Sequence, residues 1–455
     1  MNAVSNISGQ QPGAGSPPAF QYEAKEALSK NPYPRTQEPT EFERAKFLFF
    51  FALSLLMIAL AFFFNTPREI LRGSLTILTS PANLLTDYFQ LANVGATLLN
   101  VGVMTLMSLG LIKLTKAAFS GAVIAGVFTM LGFSFFGKNF FNTIPIVLGV
   151  FMYAKASAQP FSGVLLHALF GTALSPLVSE LSFNMGLPLY IGIPLGAAAG
   201  LLAGMLIVPL AAHFVRFHQG YSLYNIGFTA GIIAMLFTAV LLGFGVKIGS
   251  VSILSSGNNG AFSILLYSLF GVMLLFGFWI NRWSLNGFGR LLALPGTLPS
   301  DFTAMVGLGA ALINMALLGL LCVSYVLALG GELNGPVIGG IFTVVGFGAY
   351  GKHIKNVFPI LIGVLLTNFF NVHESSAAFA IMAALFGTTL APIAGKYGIL
   401  AGILAGFLHM SLVTNVGFLH AGLNLYNNGF SGGFVAAFLV PVLEALSQLR
   451  RPKLL

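Results

Sequence analysis

From Phe47 onward, long apolar stretches alternate with short polar interruptions, and none of the stretches carries the polar face of a soluble amphipathic helix. The first half reads as segments near 47–64, 91–114, 119–136, 140–154, 161–178, 186–212 and 223–245. The second half reads as segments near 261–280, 303–329, 334–350, 356–372, 377–392, 396–414 and 425–446. Several of these reach the roughly 20 residues needed to cross a bilayer, whereas 140–154, 161–178, 356–372 and 377–392 are short and read as re-entrant or tilted. The pattern predicts an all-α integral membrane fold with about 12–14 membrane segments, broken or re-entrant helices among them.

The same pattern is written twice. Residues 121–150 and 335–364 align without a gap at an offset of 214, with 15 identities in 30 positions. The stretch His218–Gly231 returns as His420–Gly433 with 8 matches in 14, and Phe170–Pro176 returns as Phe386–Pro392. Asp87/Asp301 and Asn100/Asn314 extend the first block upstream in register. The chain therefore divides into a membrane repeat over 44–250 and a second over 251–455. Ahead of them, 1–43 is rich in Pro, Gly, Ser and Gln and reads as a disordered cytosolic tail rather than a signal peptide.

Composition sharpens this picture. Charged residues are 7% of the chain and hydrophobic ones 56%, against about 25% charged in soluble domains. The net charge of +9 comes from lysines and arginines scattered singly between apolar stretches, which excludes a nucleic-acid face and fits the positive-inside rule. With seven segments per half and the N-terminus inside, the cytosolic side receives Arg44, Lys46, Lys113, Lys116, Lys155, Arg216, Arg282, Arg290, Lys352, Lys355, Lys396, Arg450, Arg451 and Lys453. The outer side receives Arg68, Arg72, Lys138 and Lys247. That bias favours an odd number of segments per half, hence inverted-topology repeats with both termini cytoplasmic in a bacterial inner membrane. The one cysteine, Cys322, lies inside an apolar stretch and reads as packing.

Four repeated elements are candidates for function. Tyr224-Asn225-x-Gly227-Phe228 and Tyr426-Asn427-x-Gly429-Phe430 would present amides, hydroxyls and aromatic walls to a small polar solute; the alternative is hydrogen bonding that ties the halves together. Gly-Lys138-x-x-x-Asn142-x-x-Pro145 and Gly-Lys352-x-x-x-Asn356-x-x-Pro359 have the pattern of a discontinuous helix, whose lysines either attract an anion or snorkel to the headgroups. Thr129 and Thr343 read as hydroxyls bonded to the i−4 carbonyl. His218 and His420 stand beside the Tyr-Asn elements and are read either as a proton-linked pair or as neutral interfacial side chains. His373-Glu374 has no counterpart in the first half. Asp87 and Asp301, in the loops 65–90 and 281–302, are read either as helix caps or as gating groups at opposite mouths. No nucleophile elbow, P-loop, metal-ligand spacing or haem ligand set occurs, so neither an enzyme nor a cofactor is expected.

The phrases LTSPANLLTDY, FGKNFFNTIPIVLGV, FHQGYSLYNIGFTAG and LNLYNNGFSGG resemble those of an uncharacterised bacterial polytopic-membrane family, catalogued as a domain of unknown function (DUF1576-like). The resemblance spans nearly everything beyond the N-terminal tail and implies membrane placement. Gly220–Asn225 and Gly422–Asn427 are also similar to an element of urea transporters, whose Leu-Pro-x-x-Thr-x-Pro-Phe signature neither half contains. That second likeness implies a two-half pore architecture and not urea itself. The expected function is a transporter or channel-like facilitator that moves a small polar solute, neutral or anionic, between inverted repeats. The alternatives are a non-transporting scaffold or sensor, and a membrane-embedded enzyme acting on lipid. Expected partners are the lipid bilayer and the solute, not nucleic acid; a homo-oligomer is compatible.

Overall fold

The computed structural model describes residues 40–449 apart from 84, 247, 250 and 371–376. The tail expectation for 1–39, the pair His373-Glu374, and the charges Lys247, Arg450, Arg451 and Lys453 lie outside the described residues. The first half contains α1 (Thr40–Phe64), α2 (Pro67–Thr79), α3 (Tyr88–Leu91), α4 (Val94–Thr115), α5 (Gly121–Phe133), α6 (Phe140–Ala156), α7 (Phe161–Gly171), α8 (Ser175–Phe183), α9 (Leu189–Phe214) and α10 (Asn225–Gly243). The second contains α11 (Asn259–Ile280), α12 (Phe288–Leu291), α13 (Phe302–Val306), α14 (Leu308–Ala328), α15 (Gly335–Phe347), α16 (Ile354–Phe370), α17 (Ala378–Gly387), α18 (Ala391–Tyr397), α19 (Ile399–Val416) and α20 (Asn427–Leu449). The order of the first ten helices is repeated by the second ten. A 3₁₀ turn at Thr172–Leu174 between α7 and α8 is matched by one at Thr388–Leu390 between α17 and α18.

Among the described residues, ten helical stretches are long and apolar enough to cross a membrane. The broken pairs α7–α8 and α17–α18 each count as one of these, spanning Phe161–Phe183 and Ala378–Tyr397. The short apolar helices are α6 and α16, as expected for 140–154 and 356–372, together with α5 and α15, whereas 161–178 and 377–392 belong to full-length spans. The physical reason lies in the breaks. The 3₁₀ turns run from one helix into the next without a gap, whereas beyond Ser134 and Gly348 the chain leaves the helix through turns to Lys138 and Lys352. Pro145 and Pro359 do not terminate anything and sit inside α6 and α16.

The stretch 65–90, read above as a loop, contains α2. Thr66 accepts from the Glu69 amide, the Glu69 carboxylate accepts from the Thr66 amide, and Pro67 opens the helix. That reciprocal cap holds the Glu69 carboxyl below its usual range, the Thr66 backbone bond being the largest cause. Ile70, Gly73 and Ile77 form its buried stripe. The counterpart stretch holds only the one-turn helix α12.

Packing follows the repeat as well. Helices α1 and α4 pair as α11 and α14 do, and α6 pairs with α9 as α16 does with α19. The α6–α9 contact is backbone on backbone: a Cβ at Gly204 would fall 3.0 Å from the Gly149 Cα, and one at Gly406 would fall 3.2 Å from the Gly363 Cα. Small residues let helices approach this closely where lipid supplies no hydrophobic drive. The two halves meet along α5 and α15, which run antiparallel. The α5 N-terminus at Gly121 lies against Ala349 after α15, and the α15 N-terminus at Gly335 lies against Phe135 after α5. Phe128 and Phe342, equivalent residues, stack at the crossing with ring centroids 6.1 Å apart.

Candidate functional site

The breaks after α5 and α15 each place a buried lysine against the other half. Gly137 and Gly351 adopt φ of +75° and +102°, which a side chain would resist, and each is followed by its lysine. Asn100 of α4 clamps the first break by donating to Ser134 O (2.7 Å) and Lys138 O (2.9 Å). Asn314 of α14 does the same at Gly348 O (2.8 Å) and Lys352 O (2.7 Å). So clamped, the side chains turn inward. Both Lys138 and Lys352 are fully buried (0% exposed), and neither reaches a headgroup region by snorkelling.

Each lysine sits over one ring of its own half and one of the other. Lys138 Nζ lies 5.1 Å from the Phe133 centroid and 5.3 Å from that of Tyr426. Lys352 Nζ lies 5.2 Å from Phe347 and 4.5 Å from Tyr224. The tyrosines themselves stack across the interface at 6.3 Å, and Phe228 stacks on Phe430 at 6.1 Å. Here Gly227 and Gly429 let α10 and α20 touch near their first turns. Reciprocal backbone bonds fix this crossing. Leu223 N donates to Thr389 O and Leu425 N to Ala173 O, both at 3.0 Å, so each 3₁₀ turn holds the chain that leads into the other half's last helix.

The polar contacts of the two lysines differ. Lys352 Nζ donates to the Tyr224 hydroxyl (2.6 Å) and to Thr388 Oγ1 (2.7 Å). Lys138 Nζ meets Met130 Sδ at 3.6 Å, and the buried Tyr426 hydroxyl has no partner. Among the described residues no carboxylate pairs with either lysine, unlike Lys46, which pairs with Glu43.

The remaining candidates are engaged locally. His218 Nδ1 accepts from Ser222 N, so its Nε2 carries the proton and donates to Asn225 Oδ1 (3.0 Å), while Asn225 Nδ2 donates to Ala211 O (3.0 Å). His420 Nε2 donates to Asn427 Oδ1 at 2.8 Å. Asn142 forms a reciprocal cap with Asn139 and donates to Gly137 O and Ser179 Oγ. Asn356 accepts from His353 N and donates to Gly351 O. Thr129 and Thr343 donate to Ala125 O (2.6 Å) and Gly339 O (2.8 Å), four residues back as expected.

Asp87 and Asp301 cap their short helices and also reach across the interface. Asp87 accepts from Phe89 N, from the amide and hydroxyl of Ser255, and from Gly335 N at the start of α15. Asp301 accepts from Ala304 N, Thr303 Oγ1 and Gly121 N at the start of α5. Each half thus caps the central helix of the other, at opposite ends of the α5–α15 pair. Burial is the largest influence on Asp87 and raises its carboxyl, with the Ser255 bonds pulling it back.

Sequence reading missed His353, which stands where the first half has Asn139 and donates through Nε2 to Leu294 O (2.9 Å). It also assigned no role to Asn100/Asn314 or to Thr172/Thr388. All of these lie in or beside the repeated blocks, and that position was the available signal.

The fold and this site define a multi-pass, all-helical membrane protein. The chain belongs to the family described as "Protein of unknown function (DUF1576)", whose model matches residues 66–242 and 280–445. No curated protein and no solved structure matches it.

Proposed function

We propose that the chain is a transporter or channel-like facilitator for a small polar solute, neutral or anionic, whose path follows the interface between two inverted repeats. The observation that carries this reading is the pair of fully buried lysines, at equivalent positions, each roofed by the other half's tyrosine. Burying a lysine amine without a carboxylate is costly whether the group stays charged or gives up its proton, and packing alone does not require it. Inversion is supported by the antiparallel α5–α15 pair: a two-fold axis perpendicular to such helices lies in the bilayer plane. The enclosed lysines suit an occluded state, with access from either side gated at the 3₁₀ turns. The bias of basic residues supports cytoplasmic termini in an inner membrane. Leaving the two enclosed lysines out of the tally takes one residue from each side and keeps its direction.

The test is uptake into proteoliposomes across a panel of amides, small anions and amino acids. Lys352→Met should abolish flux of the transported solute, a loss of at least tenfold, while elution and helicity stay those of the wild type. A scaffold is the second reading, favoured by the internally satisfied Asn225 amide. Asn225→Ala separates the two: the scaffold reading expects a loss of about 1–3 kcal/mol of stability and no flux in any protein. A folded wild type that moves nothing in the panel would count against transport.

A further inference from the structure

The two lysine sites are equivalent by descent and unequal in what they hold, and the difference has a sequence cause. Where the first half has Met130, at an offset of 214, the second has Val344. With valine at that position, Lys352 reaches Thr388 and Tyr224 directly. The methionine sulfur instead lies between Lys138 Nζ (3.6 Å) and Thr172 Oγ1 (3.1 Å), where an acceptor would sit. A second difference, Ala173 for Thr389, removes the hydroxyl that accepts from Tyr224 N (3.0 Å) in the other half. The Tyr426 hydroxyl is left buried without a hydrogen-bond partner, and the Thr129 hydroxyl donates to Ala125 O.

What Lys138 and Tyr426 hold in reserve are donors: an amine whose nitrogen meets a thioether sulfur rather than an oxygen, and, with its ring centroid 5.3 Å from that nitrogen, a phenol with an unused O–H. Unspent donors on a basic side chain call for an anion, just as unspent oxygens would call for a cation. We propose that Lys138 and Tyr426 form a binding site for one small monovalent anion of halide or carboxylate size, beside Thr172, whose own hydroxyl donates to Leu169 O (2.6 Å). Met130 stands in for it in the empty site; its unbranched thioether is polarizable and moves at little cost. One ammonium with no second cation in contact matches a single negative charge. The site rests on the transport reading and names its substrate class: the anion is the solute.

The purified full-length protein in detergent tests this. Its thermal midpoint would be followed as sodium gluconate is replaced by sodium chloride, nitrate or formate at constant ionic strength. A saturable rise is expected in the wild type. Tyr426→Phe, which removes only an unpartnered hydroxyl, should keep the gluconate midpoint and shift half-saturation at least tenfold upward. Lys138→Met, checked for monodisperse elution, should abolish the rise. Tyr267→Phe, which alters a phenol bonded to Ser324 far along the chain, should respond as the wild type does. Absence of a saturable shift in the wild type, or unchanged half-saturation in Tyr426→Phe, overturns the site. Saturable chloride binding without chloride flux in proteoliposomes would keep the site and remove the transport reading; flux of a neutral solute without anion binding would do the reverse.

Discussion

Gly149→Leu is expected to leave little folded protein. The introduced Cβ would meet the Leu201 carbonyl group and come within 2.9 Å of the Gly204 Cα, so every atom it strikes is backbone. No side chain can rotate away, and α6 and α9 must move apart. Overpacking typically costs about 1–3 kcal/mol, and a clash with rigid backbone belongs at the upper end or beyond. In lipid the separated helices regain nothing by hydrophobic association, since close packing is itself the main attraction. Gly363→Leu should behave alike, because its Cβ would come within 2.9 Å of Phe407 N and meet the Ile403 carbonyl. Gly110→Leu, on α4 with nothing within 4 Å, should be tolerated. The readout is the monodisperse fraction and thermal midpoint in detergent. A near-native midpoint for Gly149→Leu would show that the two backbones do not touch.

Alanine at Asp87 or Asp301 is expected to loosen the contact between the halves. Each removal strips the acceptor from buried amides, Gly335 and Ser255 in one case and Gly121 in the other. Hydrogen bonds to a charged group contribute about 1.5–3 kcal/mol, and unpaired buried donors add a penalty of similar size, so a loss of about 2–4 kcal/mol per site follows. Asp87 should be the larger because it holds more donors. Asparagine keeps one acceptor oxygen and should recover part of the loss. The two caps stand at opposite ends of 13-residue helices, roughly 20 Å apart, so the double variant should be additive within about 0.5 kcal/mol. Equilibrium unfolding of the four proteins measures this. A coupling energy well above that bound would mean the caps act through one shared rearrangement.

Much of the candidate site is legible in the sequence, for a reason specific to duplication. A residue type retained twice at one offset stands out against a chain made mostly of Gly, Leu and Phe, and this picked out Lys138/Lys352, Tyr224/Tyr426 and the caps. What it could not supply was a partner. Asp87 binds the amide of Gly335 and Asp301 that of Gly121, contacts between different halves that no local pattern encodes. His353 escaped notice because a capping side chain need only accept at the right place, and imidazole Nδ1 does so as well as an asparagine oxygen. The helix α2 was legible in its Thr66–Glu69 cap and was masked by the prolines and charges around it.

The sequence by itself determined the solvent, the helical class and the repeat. Each follows from properties summed over many residues: apolar length against bilayer thickness, scarcity of charge, and identity at a fixed offset. Only the tertiary structure decided where the lysines point and that their two sites are unequal. Whether a lysine snorkels or is buried depends on the clamp from Asn100 or Asn314 and on the rings that close over it from the other half. The inequality turns on Met130 facing Val344 across the duplication, a difference of one side-chain shape whose consequence exists only at a contact.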